Sequence, residues 1–192
     1  MITLKNGVRS IGIDDGPFNS REKRKSDVLV VGAVYRGGTW FDGLLTTKIR
    51  RDGWNATTNL IQMLKGSKFL PQLRYAILDG IALGGFNIID LDRFHLETGL
   101  KILVTVRKRP NLEAMKNAIS HLGSPRKRMA LLRTAGDIIP IDNLYCNLKG
   151  MDIEEAKALL RLTCTRSHLP EPVRVAHLIA GGVKRGQSGR KA

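Results

Sequence analysis

Only two cysteines occur in the 192 residues, Cys146 and Cys164, and without a Cys-x-x-Cys pair they exclude both a disulfide framework and a zinc knuckle. Reduced, semi-buried thiols are expected. No apolar run reaches the roughly 18 residues of a membrane span, and no amino-terminal run resembles a signal peptide. The expectation is a soluble, cytoplasmic protein with no membrane partner. Gly-x-Gly-x-x-Gly and Walker-type loops are also missing, which argues against a small-molecule enzyme built around a dinucleotide or nucleoside triphosphate. Acids are scarce: 17 Asp plus Glu stand against 32 Lys plus Arg, a formal charge of +15. That surplus favours a polyanion, because neutralised phosphates release condensed counterions, and nucleic acid, DNA or RNA, is the leading partner. Ribosomal or acidic-protein contacts would draw on the same charge.

What is present reads as alternating strands and helices. Val8 to Gly16 is a strand ending on two acids, Asp14 and Asp15, and a turn glycine. The polar, basic stretch from Asn19 to Asp27 breaks it. Val28 to Tyr35 and Trp40 to Ile49, joined at Gly37 and Gly38, are expected to form a hairpin. Asn55 is placed to cap a helix with apolar positions Ala56, Leu60, Met63 and Leu64. Tyr75 to Leu78 is a short buried strand running into Asp79 and Gly80. Phe86 to Thr98 shows helical spacing, Gly99 stops it, and Lys101 to Val106 is another strand, so the crossover implies parallel pairing. Pro110 opens a helix over Asn111 to Leu122. Ser124 to Leu148, with Arg126, Lys127 and Arg128, reads as irregular with room for one strand. Asp152 and Glu155 have capping-box spacing for a helix to about Cys164, and Pro172 suits the first turn of a last helix through Ala180. From Gly181 on, Gly, Ser and basic residues predict disorder. The layout is one α/β domain over 1–182 with a basic tail at 183–192. A ribonuclease-H-like mixed five-stranded sheet flanked by helices fits it.

Asp14 and Asp79 each follow an apolar strand and precede glycine-containing turns. Both carboxylates are therefore expected at the carboxyl ends of neighbouring parallel strands, where open α/β sheets hold ligands. Two carboxylates brought together repel unless a cation offsets them, and hard oxygen donors suit Mg²⁺ or Mn²⁺. Paired cations about 4 Å apart clamp the attacking and leaving oxygens of a phosphodiester. The structural alternative is that strand-terminal Asp supports turns and caps helices.

Four segments in order, Ile11-Gly12-Ile13-Asp14, Ala76-Ile77-Leu78-Asp79-Gly80, Val104-Thr105-Val106-Arg107-Lys108 and Leu169-Pro170-Glu171-Pro172-Val173-Arg174-Val175-Ala176-His177, resemble motifs of endonuclease V. The whole chain, from about residue 8 to 182, resembles more closely an archaeal family grouped with endonuclease V in the ribonuclease-H-like superfamily. The resemblance implies a metal-dependent endonuclease acting near deaminated or altered bases, or a binding module of the same fold with little or no catalysis. It assigns Asp14 and Asp79 to metal ligation, His177 to assisting the second metal, and Lys108 to the substrate phosphate. Independently, Val173, Ala176, His177 and Ala180 share one helix face, which points His177 toward the sheet, as it would a hydrogen-bonded core histidine. A solvated basic turn over Arg107, Lys108 and Arg109 is the alternative for Lys108.

Two departures from endonuclease V stand out. Its glutamate near the start of the helix after the third strand has no counterpart here, so Asp52 is the expected third acid, with Asn55 and Asp42 as alternatives. The segment after its Asp-Gly is replaced by Ile81 to Asn87, so inosine specificity does not carry over. Trp54 lies where endonuclease V has an aromatic wedge. Beside Arg50 and Arg51 it is placed either to stack on a base, worth roughly 1–3 kcal/mol, or to be buried under the next helix.

Overall fold

The computed structural model describes residues 2–18 and 26–189. Most of the polar stretch after Phe18 and the last three residues of the tail lie outside the described residues. Strands β1 (Arg9–Asp15), β2 (Asp27–Arg36) and β3 (Trp40–Arg50) form an antiparallel meander. Helix α1 (Ala56–Lys65) leads to β4 (Leu73–Asp79), which pairs in parallel with β1. A small hairpin, β5 (Ala82–Leu83) and β6 (Asn87–Ile88), precedes α2 (Leu91–Thr98) and β7 (Lys101–Val106), and β7 pairs in parallel with β4. Helices α3 (Leu112–Ser120) and α4 (Pro125–Thr134), strands β8 (Ile139–Ile141) and β9 (Leu144–Lys149), and helices α5 (Ile153–Thr163) and α6 (Glu171–Arg185) complete the chain.

The sheet has seven strands in the order β3-β2-β1-β4-β7-β9-β8, not five. The five expected strands are the first five of that order. The two additions come from the stretch that reads as irregular in sequence, which folds as α4, β8 and β9. Pro140 sits on β8, an edge strand, where its missing N–H costs no ladder bond. Two more expectations shift. The helix expected from Phe86 begins at Leu91, after Asp90 accepts from Arg93 N, because residues 82 to 88 form the hairpin instead. The last helix continues through Arg185, so the first part of the predicted disordered tail is ordered.

Strand alternation splits the core in two. Ile11, Ile13, Val30, Val34, Ala76, Leu78, Ile102 and Val104 meet α1 and α2 through Leu60, Leu64 and Phe94. On the other face Tyr75, Ile77, Leu103 and Cys146 meet Leu159, Leu160 and Val173 of α5 and α6, and Val31, Ala33 and Tyr35 meet Ala176 and Ala180. Ser10, Gly12 and Asp14 therefore face α6. At Gly12 the approach is closest: a Cβ there would lie 2.1 Å from the carbonyl carbon of Pro172. The glycine lets the start of α6 rest on β1, and this seating fixes where His177 falls.

Candidate metal centre

Asp14 and Asp79 stand one step beyond Ile13 and Leu78, the last parallel pair of β1 and β4. Both point to the α6 face, where His177 lies a little over one turn beyond the Gly12 contact. One ligand atom of each of the three residues lies within 4.8 Å of the other two. His177 Nδ1 is 2.7 Å from Asp14 Oδ2, and Asp14 Oδ1 accepts from the backbone N–H of Asp15. Among the described residues no hydrogen bond reaches the Asp79 carboxylate. Two carboxylates and an imidazole converging on one point, one carboxylate without a donor, form an oxygen-rich set that fits a hard divalent cation.

The acids at this strand end oppose one another's ionisation. Burial, and then the Asp14 charge, push the Asp79 carboxyl up to about 6, against the opposing pull of Arg107 and His177. Asp15 is raised further, to about 7, by burial and by Asp14, even though its Oδ2 accepts from the Gly84 N–H at 2.9 Å. The hydrogen bond to Asp14 raises the His177 pKa.

The endonuclease dU family model matches residues 6–184. The chain belongs to the endonuclease dU family. The UPF0215 protein of Methanothermobacter thermautotrophicus is 44% identical over 189 residues, 96% of this chain and 92% of its own. The crystal structure of a protein of unknown function from Archaeoglobus fulgidus has a TM-score of 0.85 at 36% identity, covering 92% of this chain and 98% of that one. Ciona intestinalis endonuclease V, in complex with a 24mer DNA containing an inosine followed by a ribo-adenosine, has a TM-score of 0.56 at 15% identity, over 91% of this chain and 84% of that one. At that identity the likeness establishes the shared ribonuclease-H-like fold. Family and fold together support a nuclease-like role.

In this endonuclease dU family member the other expected site residues are dispersed. Asp52 is outside the group of three: Oδ1 accepts from Phe86 N, and Arg51 lies 3.6 Å from Oδ2. Its carboxylate secures the β5–β6 hairpin, whose Gly84 and Gly85 both have positive φ. Asp42 is engaged by Arg9 and Arg36, each at 2.8 Å. Asn55 does not cap α1. Its Oδ1 accepts from Arg50 N and from Asn87 Nδ2, while the buried Asn87 supplies the cap by accepting from Ala56 N. The acid that does join this strand end is Asp15, adjacent to Asp14 in sequence, whose signal was hidden by alternation: it points to the opposite face. Lys108 is exposed in the bend after β7, and Arg107 is exposed but close enough to act on Asp79.

Trp54 is 46% exposed, so it is not buried under α1. The Arg128 guanidinium stands 4.2 Å from its ring centroid. Arg128, read in sequence as one of a basic run, is 2% exposed and donates to the carbonyls of Asp52, Gly53, Phe86 and Gly123. It ties the loop to α4 and braces one side of the indole. Arg50, Arg51 and Trp54 line a cleft of about 610 Å³.

Proposed function

We propose that this protein is a metal-dependent endonuclease that hydrolyses phosphodiester bonds near deaminated bases in DNA or RNA, with deoxyuridine, named in its family's description, as the first substrate to test. The observation that carries the reading is the convergence of Asp14, Asp79 and His177 at the carboxyl ends of two parallel strands. Asp14 and Asp79 would hold Mg²⁺ or Mn²⁺, with His177 assisting. When bound, the metal supplies a Lewis acid for the phosphoryl oxygens and lowers the pKa of water. Asp14 orients the His177 ring through Nδ1, which leaves Nε2 to hold or move a proton at the reacting oxygen. Arg107 and Lys108, just beyond the end of the adjacent strand, would draw the scissile phosphate toward the two acids. Trp54, held by Arg128 and flanked by Arg50 and Arg51, offers a stacking surface for a neighbouring base.

The test uses purified protein and oligonucleotides carrying one uracil or hypoxanthine. Mg²⁺ or Mn²⁺ should support nicking near that base, and Asp79→Asn should abolish it. Salt-dependent binding with no cleavage under either metal would leave only a binding module.

A further inference from the structure

On the sheet face opposite Asp14 and Asp79 there is a second cleft, of about 540 Å³, whose walls include Ile81, Val104, Val106, Met115, Leu132 and Asn147. That volume is in the range of small-molecule sites, roughly 300–1,000 Å³. It lies at the same strand ends as the metal centre, across the sheet: Ile81 is two residues beyond Asp79, and Val106 follows Thr105, the β7 partner of Asp79. The exposed Arg109, Arg133 and Asp137 are its charged lining, and most of the other walls are apolar. Asn147 is the exception. It sits on β9 opposite Val104 and is only 9% exposed.

The orientation of its carboxamide is determined. Asn147 Nδ2 donates to the carbonyl oxygens of Gly136 and Asp137 at 3.0 and 3.1 Å. Two carbonyls can be met only by the amide nitrogen, so the group cannot be flipped and both its protons are used. Among the described residues no donor reaches Oδ1. The side chain is nearly buried, and its oxygen, still accessible, is thus left as an acceptor without a protein donor beside the cleft.

We propose that this cleft receives a nucleobase turned out of its strand, and that Asn147 Oδ1 selects deaminated bases by accepting a hydrogen bond from their ring N–H. Cytosine presents a lone pair at N3, and adenine one at N1. Deamination to uracil or hypoxanthine places a proton on that same nitrogen. A fixed acceptor is satisfied by the deaminated base and faces a second lone pair on its parent, the kind of mismatch that polar sites reject most strongly. Thymine and guanine carry the same proton, so this contact admits them. Their stable pairing in a duplex holds them back, since extruding a base costs least at a mismatch. Arg109 and Arg133 at the rim supply charge for the flanking phosphates. The proposal deepens the endonuclease reading and rests on it for the reaction, but base recognition is measurable without cleavage.

The experiment is fluorescence anisotropy with single-stranded oligonucleotides carrying one central dU, dC or N3-methyl-dU, with Ca²⁺ in place of Mg²⁺. The wild-type chain should bind dU roughly tenfold more tightly than the other two, the scale of one lost buried hydrogen bond. Asn147→Leu should bring the three together. Ile81→Trp, which fills the cleft and leaves the carboxamide in place, should weaken dU binding alone. Equal binding of dU and dC by the wild type, or a dU preference that survives Asn147→Leu, overturns the proposal. Parallel reactions in Mn²⁺ separate the two ideas: dU preference without cleavage supports the cleft and removes the endonuclease reading, and dU-directed cleavage with no binding preference does the reverse.

Discussion

Asp79 and Asp15 both have carboxyl groups raised above the ordinary Asp value, to about 6 and about 7, by burial and by the Asp14 charge. For a raised acid, folding is favoured most below the unfolded pKa, and that stability is lost as pH rises through the folded one. His177, also raised, runs the same way: its contribution is full below its ordinary pKa and is lost as it deprotonates. The metal-free protein should therefore become less stable between about pH 4 and pH 7, by on the order of 3 kcal/mol for Asp79 alone. Thermal melts in EDTA across this range check the slope. Mn²⁺ should raise the melting temperature more at pH 8 than at pH 5. Asp79→Asn should stabilise the metal-free chain at pH 8 and erase most of the metal effect. A metal-induced shift unchanged in this variant would remove Asp79 from the ligand set.

Among the elements, α6 has the most to do with the site, and Gly12 governs its seat. A methyl group at residue 12 would overlap the backbone of Pro172 and Val173, at 2.1 and 2.3 Å, so the helix must move. Gly12→Ala should cost about 1–3 kcal/mol, the range for overpacking a close contact, and should reduce activity beyond what the lost stability explains. Urea melts and single-turnover cleavage at a temperature where both proteins are folded would separate the two effects. Buried Glu171 also anchors this turn, accepting from Arg174 at 2.8 and 2.6 Å. Strand periods and the Leu169 to His177 segment made the α6 face readable in advance. The β8–β9 extension was not readable, because its short apolar pieces straddle Pro140 and gain regularity only by pairing with the exposed edge of β7.

For the whole molecule, the formal charge of +15 sets the expectation for binding. No described helix is long and apolar enough to cross a membrane. If about six phosphates are contacted, affinity for duplex DNA should fall roughly a thousandfold between about 50 and 200 mM salt, with log affinity linear in log salt. Filter binding measures the slope. A slope near zero would mean that the surplus charge serves some other partner.

The strand-end acids were legible in the sequence by itself, because an apolar run broken by Asp and Gly is local and period two assigns its faces. So were the charge, the parallel crossover and the inward face of His177. Other decisions were tertiary. Asp52, nearest the expected third acid in sequence, is drawn off by Phe86 and Arg51, while Asp15 comes within electrostatic reach of Asp14 and Asp79. Arg128 leaves its basic run to be buried beneath Trp54, and Asn147 becomes a fixed acceptor only because two carbonyls from a distant turn hold its amide nitrogen. The reason is the same in each case. A polar side chain takes its role from the partners that can reach it, and the fold brings the deciding ones from along the chain, up to 76 positions away for Arg128 and Asp52.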